Sequence, residues 1–203
     1  MKVVKKNLSK QKVVDAAISL FFQKGFDGTS VRDIASKAEV NVSLISYYFQ
    51  GKQGLLEYAV TDYYEQYLEV IEENLQKNNS HSPLIQLKKL ITVIIKFKQS
   101  NVHLSSVIHR ELSLDTMFVR EMTVTYLAKE DYYLKNLFIK AIRKKNSRDQ
   151  TPFILQLKGM LMTPYILHHE WRQHVIGDYS HKLFVKGYVQ SIHDWLDFLV
   201  EKT

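Results

Sequence analysis

The chain has 203 residues, with 7 glycines, 3 prolines and no cysteine, which is long enough for one or two domains with a self-sufficient core. The absence of cysteine excludes disulfides and thiolate metal sites and suits a reducing compartment, the cytoplasm. Net charge is +7, and residues 1–52 hold 9 Lys+Arg against 4 Asp+Glu while the remainder holds 19 against 17, so a basic head adjoins a nearly neutral body.

The first predicted helix starts near Asn7 or Ser9 and ends at Lys24, with Val13, Ala16, Ala17, Leu20 and Phe21 as its apolar stripe. Gly25 stops it as a C′ glycine, Phe26 turns back to the core, and Asp27-Gly28 makes a turn. Thr29 or Ser30 caps a second helix; with Ser30 as N-cap, Asp33 falls at N3 as a short-armed capping box. Ile34, Ala35 and Ala38 form its buried face. Residues 38–41 form a turn, and Asn41 caps a third helix over roughly Val42 to Tyr48. Leu44, Ile45, Tyr48 and Phe49 face inward in that helix, leaving Val42, Ser43, Ser46 and Tyr47 outward.

Gly51 breaks the chain before a long fourth helix, Lys52 to about Lys77, buried through Leu55, Leu56, Ala59, Val60, Tyr63, Tyr67 and Ile71. Residues 78–83 read as a linker, and Pro83 opens a fifth helix to about Gln99. A sixth reaches about Leu112. Asp115 caps a long seventh, which passes Tyr126 and Phe138 to the basic end Arg143-Lys144-Lys145. Thr151-Pro152 starts an eighth to about Trp171, kinked at Pro164. After a loop at Gly177 to Ser180, a ninth runs to about Glu201. The reading is all-α, about nine helices, divided into residues 1–51 and 52–203.

Two short helices joined by a tight turn, edged by basic and hydroxyl groups, make a helix-turn-helix reader of double-stranded DNA. A third helix of about seven residues is ~10 Å long and suits a major groove ~12 Å wide. Val42 and Ser43 meet base edges; Val packs on a thymine methyl and Ser donates or accepts. Lys52 and the first N–H groups of the fourth helix form one phosphate site, and Thr29 and Ser30 form another. Arg32 reaches phosphate from the second helix, and Lys5, Lys6, Lys10 and Lys12 form a basic arm that follows the DNA backbone or enters a minor groove, or else a solvated tail.

Residues 8–56 resemble the DNA-binding head of the TetR family. The shared pattern is Phe22 with Gly25-Phe26, Thr29-Ser30, Ile34-Ala35, Tyr48-Phe49 and Lys52. That resemblance implies a three-helix DNA-binding domain followed by a helical dimerisation and effector domain. It also marks two departures. Glu39 stands where the family turn usually has glycine, at roughly 1 kcal/mol if φ is positive there. Ser46 replaces a tyrosine that commonly touches phosphate, a role open to Ser46 itself or to its neighbour Tyr47.

One short reader specifies few base pairs, so a homodimer on a near-palindrome is expected, its half-sites ~34–36 Å apart. The resemblance places the dimer interface on the eighth and ninth helices, whose apolar residues Phe153, Leu157, Met160, Leu161, Tyr165, Phe184, Tyr188, Ile192, Trp195 and Leu199 divide between that interface and the core of the single chain. Tyr63, Phe97, His103, Tyr126, Tyr133 and Trp171 are candidate walls of an effector cavity, or core. Segments at 41–58, 110–115, 119–130 and 153–165 resemble a sporulation- and division-associated branch of the family in spore-forming Bacillaceae. This implies FtsZ as a partner and a role in division during sporulation, with Arg110, Glu111, Arg120 and Glu121 as candidate contacts. The alternative is a transcriptional repressor released by a small molecule.

No run of about 18 apolar residues predicts a membrane helix, and the N-terminus lacks the apolar stretch of a secretory signal. His168-His169-Glu170 and His109 with Glu111 do not complete an i, i+4 metal pair. No nucleophile elbow or phosphate loop occurs, so no enzyme activity, cofactor or metal is expected.

Overall fold

A computed structural model describes residues 2–112, 116–142, 150–166 and 181–201. Every regular element among them is helical. They are α1 (Lys2–Lys24), α2 (Val31–Ala38), α3 (Val42–Phe49), α4 (Lys52–Lys77), α5 (Pro83–Ser100), α6 (Val102–Glu111) and α7 (Met117–Met122). A π turn, Thr123–Leu127, then leads without a break into α8 (Ala128–Ala141); α9 (Thr151–Ile166) and α10 (His181–Glu201) follow. The all-α expectation therefore holds. The predicted eighth and ninth helices correspond to α9 and α10. Asp115, the basic end at 143–145, Trp171 and the loop at 177–180 lie outside the described residues.

The chain forms two compact units. The first is Met1–Glu65 with His103–Leu114; the second is Gln66–Val102 with Asp115–Thr203. The expected boundary at residue 51 falls inside the first unit, because that boundary separates roles whereas the units follow packing.

In the first unit the core is built from the predicted stripes. Val13, Ala16, Ala17, Leu20 and Phe21 of α1 are buried with Ile34, Ala35 and Ala38 of α2, Ile45 and Phe49 of α3, and Leu55, Leu56, Ala59 and Val60 of α4. Each fully buried large aliphatic or aromatic side chain contributes about 1.5–3 kcal/mol. Gly25 ends α1 at φ 78° and Gly51 separates α3 from α4 at φ 122°, conformations that cost glycine least. Helix α6 joins this unit through buried Leu104, Val107 and Ile108. The Tyr63 hydroxyl is 2.9 Å from Ser105 Oγ. The Arg110 guanidinium donates to the Phe21 and Phe22 carbonyls at 2.9 and 3.3 Å, satisfying acceptors in the last turn of α1.

In the second unit α5 is the central element, packed against α8, α9 and α10. Its Leu87, Leu90, Ile91, Ile94 and Ile95 are buried, as are Leu134, Leu137 and Phe138 of α8 and Ile192, Leu196 and Leu199 of α10. Helix α9 contributes Leu157, Leu161 and Tyr165. Pro164 sits inside α9 and has no N–H for the Met160 carbonyl four residues earlier. The Tyr188 hydroxyl of α10 donates to that carbonyl at 2.6 Å. A tertiary bond thus replaces the helical one. Burial pushes the Tyr188 phenol up to about 12, so it stays a donor. Lys98, 4% exposed, faces Glu130 at 3.7 Å, and Lys88 Nζ lies 2.5 and 2.6 Å from the two Asp197 carboxylate oxygens.

Candidate nucleic-acid interface

The site is a helix presented by its own turn. Ser30 has extended backbone, accepts from the Asp33 N–H at 3.1 Å and donates its own N–H to Asp33 Oδ2 at 3.0 Å, completing the predicted box. The Ser30 hydroxyl also donates to Asp33 Oδ2 at 2.7 Å. These bonds hold the Asp33 carboxyl below its ordinary value, the Ser30 hydroxyl contributing most. Helix α2 ends at Glu39 in left-handed geometry, φ 56°, with its N–H on the Ala35 and Ser36 carbonyls. The positive φ that the family's usual glycine implied at this position is present, and a side chain bears it.

Asn41 then caps α3, its Oδ1 accepting from the Ser43 N–H at 2.9 Å and the Ser43 hydroxyl at 2.8 Å. Helix α3 buries Ile45 and Phe49 and leaves Val42, Ser43, Ser46 and Tyr47 exposed. Tyr47 is 71% exposed and Val42 40%, so both offer apolar area to solvent. The α3 end turns through Gln50 at φ 59°, a second left-handed residue that no sequence signal flagged. Gly54 lies against this end: a Cβ there would sit 2.0 Å from the Phe49 carbonyl oxygen. Close approach of α4 to α3 therefore requires glycine at that position.

The candidate phosphate groups divide by environment. Ser30 and Arg32 are exposed. Thr29 is 2% exposed and its hydroxyl donates to the Gly25 carbonyl at 2.8 Å, so it staples the end of α1 to the start of α2 instead of facing solvent. Lys52 Nζ donates to the Phe26 carbonyl at 2.7 Å and lies 4.2 Å from the Phe26 ring centroid. An ammonium has three N–H donors, and Phe26 takes one. Glu111 stands close enough to feel Lys52; burial and the Asp27 charge raise its carboxyl, against Arg110 and Lys52.

The basic arm is helical, since α1 begins at Lys2. Nothing in MKVVKKNLSKQK breaks a helix, so the start near residue 7 set the boundary too late. Lys10 lies 3.8 Å from the Tyr58 ring centroid, packed on the domain instead of trailing from it. The Lys5 and Lys6 side chains lie outside the described residues, as do His168-His169-Glu170. Sequence reading missed the staples of Thr29, Lys52 and Arg110, because all three depend on carbonyls that carry no residue signature.

The interface expectation for the last two helices changes in detail. Leu157, Leu161, Tyr165, Ile192 and Leu199 are core of a single chain. Phe153, Met160, Tyr188 and Trp195 are partly exposed, and Phe184 lies outside the described side chains. Of the cavity candidates, Tyr63 pairs with Ser105 and His103 stacks on Phe22 at 4.3 Å. Phe97 meets Tyr67 at 5.3 Å, and the Tyr133 hydroxyl donates to Glu72 at 3.0 Å. An open cleft of about 700 Å³ lies elsewhere in the second unit, between α5 and α10, lined by Lys96, Gln99, Val185, Lys186, Val189 and His193 among others.

Residues 13–59 match the family model for bacterial regulatory proteins of the tetR family. The whole chain is 38% identical over 192 residues to the probable HTH-type transcriptional regulator YttP of Bacillus subtilis (strain 168), covering 93% of this chain and 92% of YttP. Among solved structures, a Clostridium perfringens putative fatty acid metabolism regulator superposes with TM-score 0.72 at 21% identity, over 91% of this chain and 96% of that one. AibR, solved with isovaleryl coenzyme A and operator DNA, superposes with TM-score 0.70 at 18% identity, over 90% and 97%. The chain belongs to the tetR family of bacterial regulatory proteins, and it is a transcriptional regulator of that type.

Proposed function

We propose that the chain reads a near-palindromic site in double-stranded DNA as a homodimer, with α3 in the major groove. The observation that carries this is the outward face of α3, where Val42, Ser43, Ser46 and Tyr47 stand exposed on a helix whose other face is locked in the core. While Asn41 takes the Ser43 hydroxyl proton, Ser43 meets a base edge as an acceptor, which favours an adenine or cytosine amino group. Val42 supplies a thymine-methyl contact. Arg32, Ser46, Tyr47 and the two remaining Lys52 donors take phosphate, while Ser30, with its N–H and hydroxyl both given to Asp33, caps α2. Thr29 shapes the site from beneath. Dimer contact runs through exposed Leu155, Ile166, Leu183 and Phe198 of α9 and α10, where Gly159 and Gly187 let a second helix approach closely.

Selection from a randomised duplex pool tests the reading, with an inverted repeat expected. Affinity falls linearly on a plot of log K against log salt, and a flat plot removes the phosphate assignment. Lys52→Ala weakens all sequences alike, while Ser43→Ala changes preference at one base pair per half-site.

For the body we favour the RefZ-type reading, a DNA-bound regulator that acts on FtsZ during division and sporulation in the cytoplasm. Its support is the resemblance of residues 153–165 and neighbouring segments, and the engagement of Tyr63, Phe97 and Tyr133 with other side chains. Arg110 is committed to α1, which leaves Arg120 and Glu121 as the exposed candidates. Co-sedimentation with FtsZ polymers, with and without the selected DNA, tests it. Unchanged FtsZ assembly returns the choice to a ligand-released repressor, a reading to which AibR's solved complex lends support.

A further inference from the structure

The α7–π–α8 helix carries a regular outward stripe that neither the reader nor the second unit's core uses. Met117 is 79% exposed, Val124 78%, Tyr132 63% and Ile139 45%. Their spacings are seven, eight and seven residues. At about 100° per residue, a seven-residue step returns to within about 20° of the same face, whereas an eight-residue α step overshoots by about 80°. The eight-residue step is the one that crosses the π turn, Thr123–Leu127. An i→i+5 turn holds one more residue than an i→i+4 turn, so eight residues there do the work of seven. The irregularity therefore aligns four large apolar side chains into one seam of heptad spacing. Ala128, exposed and small at its centre, lets another helix come close.

We infer that this seam docks an amphipathic helix of another protein, with acidic residues beside its apolar stripe. The charge around the seam selects the occupant. Arg120, Lys129, Lys135 and Lys140 are exposed along this helix against exposed Glu121. A second copy of the chain would set this cationic border against itself. DNA would leave Met117, Val124, Tyr132 and Ile139 against phosphate, without a dry partner. A helix with leucines every three and four residues, flanked by glutamates, satisfies both the seam and its border. This rests on neither the α3 assignment nor the FtsZ reading.

The test titrates full-length protein into a labelled synthetic helix of about three heptads, with leucine at the core positions and glutamate at the flanks. A twin peptide carries lysine at the flanks. Fluorescence anisotropy is expected to show the glutamate helix binding at least about tenfold tighter than its twin. Val124→Ala with Tyr132→Ala weakens it about tenfold or more, with the melting temperature and DNA affinity of the protein unchanged. Lys129→Glu with Lys135→Glu reverses the preference. Equal binding of the two peptides, or binding indifferent to the alanine pair, overturns the inference. So does an altered sedimentation mass of the alanine variant, which assigns the seam to a second copy, or a loss of its DNA affinity, which assigns it to DNA.

Discussion

The α2–α3 reader and the second unit are held by bonds of different reach. In the reader the polar bonds are mostly short in sequence: Ser30 with Asp33 across three residues, Asn41 with Ser43 across two, Thr29 with Gly25 across four. The second unit has local bonds as well, Asn78 with the Asn74 carbonyl and Thr92 with the Lys88 carbonyl among them, but its helices are also joined by long ones: Lys88 with Asp197 across 109, Tyr133 with Glu72 across 61, Tyr188 with the Met160 carbonyl across 28. A reader must present four side chains at fixed angles, and local bonds fix angles without help from distant chain. The second unit must hold α5 against three other helices, so the polar groups that join them find partners only after those helices meet. Changes to the second unit should therefore act on global stability, and changes to the reader on the order of α2 and α3.

The most damaging change is expected in the buried ion pair. Glu130→Leu leaves the Lys98 ammonium, 4% exposed, without the carboxylate it faces, at a cost of about 3 kcal/mol. Urea unfolding measures this, and adding Lys98→Met to the same chain should recover most of the loss. Full stability of the single variant would show that the pair is solvated. Tyr188→Phe comes next. It strands the Met160 carbonyl that Pro164 already deprives of its helical donor, at about 1–2 kcal/mol. Restoring that helical N–H with Pro164→Ala should make Tyr188→Phe nearly neutral, which a double-mutant cycle reads directly.

The reader responds less, and in both directions. Ser30→Ala removes the cap of α2 at about 1 kcal/mol and lowers DNA affinity through α2 order, measured by amide exchange of residues 31–38. Glu39→Gly relieves left-handed strain of about 1 kcal/mol, less the extra unfolded-chain entropy of glycine, for a net gain of a few tenths. A destabilised Glu39→Gly chain would show that the Glu39 side chain does more than tolerate its backbone.

The same contrast decides what could be read in the sequence. The core stripe of α1, the capping box at Ser30 and the exposed quartet of α3 follow from spacing within one or two turns, and all were legible. The positive φ at Glu39 was suggested only by the glycine that the TetR-family turn usually carries there. The carbonyl partners of Thr29 and Lys52 were not legible, since a hydroxyl or ammonium in sequence does not reveal that a backbone carbonyl lies beside it; for the buried Thr29 that partner displaces the phosphate role, whereas Lys52 keeps donors to spare. Leu157, Leu161 and Ile192 could not be divided between interface and core in the sequence, because an apolar helix stripe looks the same whether another helix of its own chain or a second chain covers it. The π turn at Thr123–Leu127 left no composition signal, only a spacing of eight where seven was due.

The smallest effect is pH-dependent and belongs to α10. His193 Nε2 carries its proton toward the Lys88 carbonyl at 3.0 Å and lies 3.2 Å from Thr92 Oγ1. Its pKa is lowered mainly by burial; the Lys88 charge also lowers it, against the Lys88 carbonyl bond and the charges of Asp197 and Asp194, which raise it. Folding thus favours the neutral ring. The unfolded chain takes up a proton near the ordinary value of 6.5 while the folded chain still resists. Stability from this group is therefore complete above that value and is lost as pH falls from it through the lower folded value. The ring is partly solvated, so the loss is small and shows as a drift in unfolding midpoint between about pH 7 and 5. His193→Gln keeps an N–H donor for the Lys88 carbonyl but cannot titrate, and should flatten that drift without changing the midpoint at higher pH. An undiminished drift in the glutamine variant would move the titration to another group.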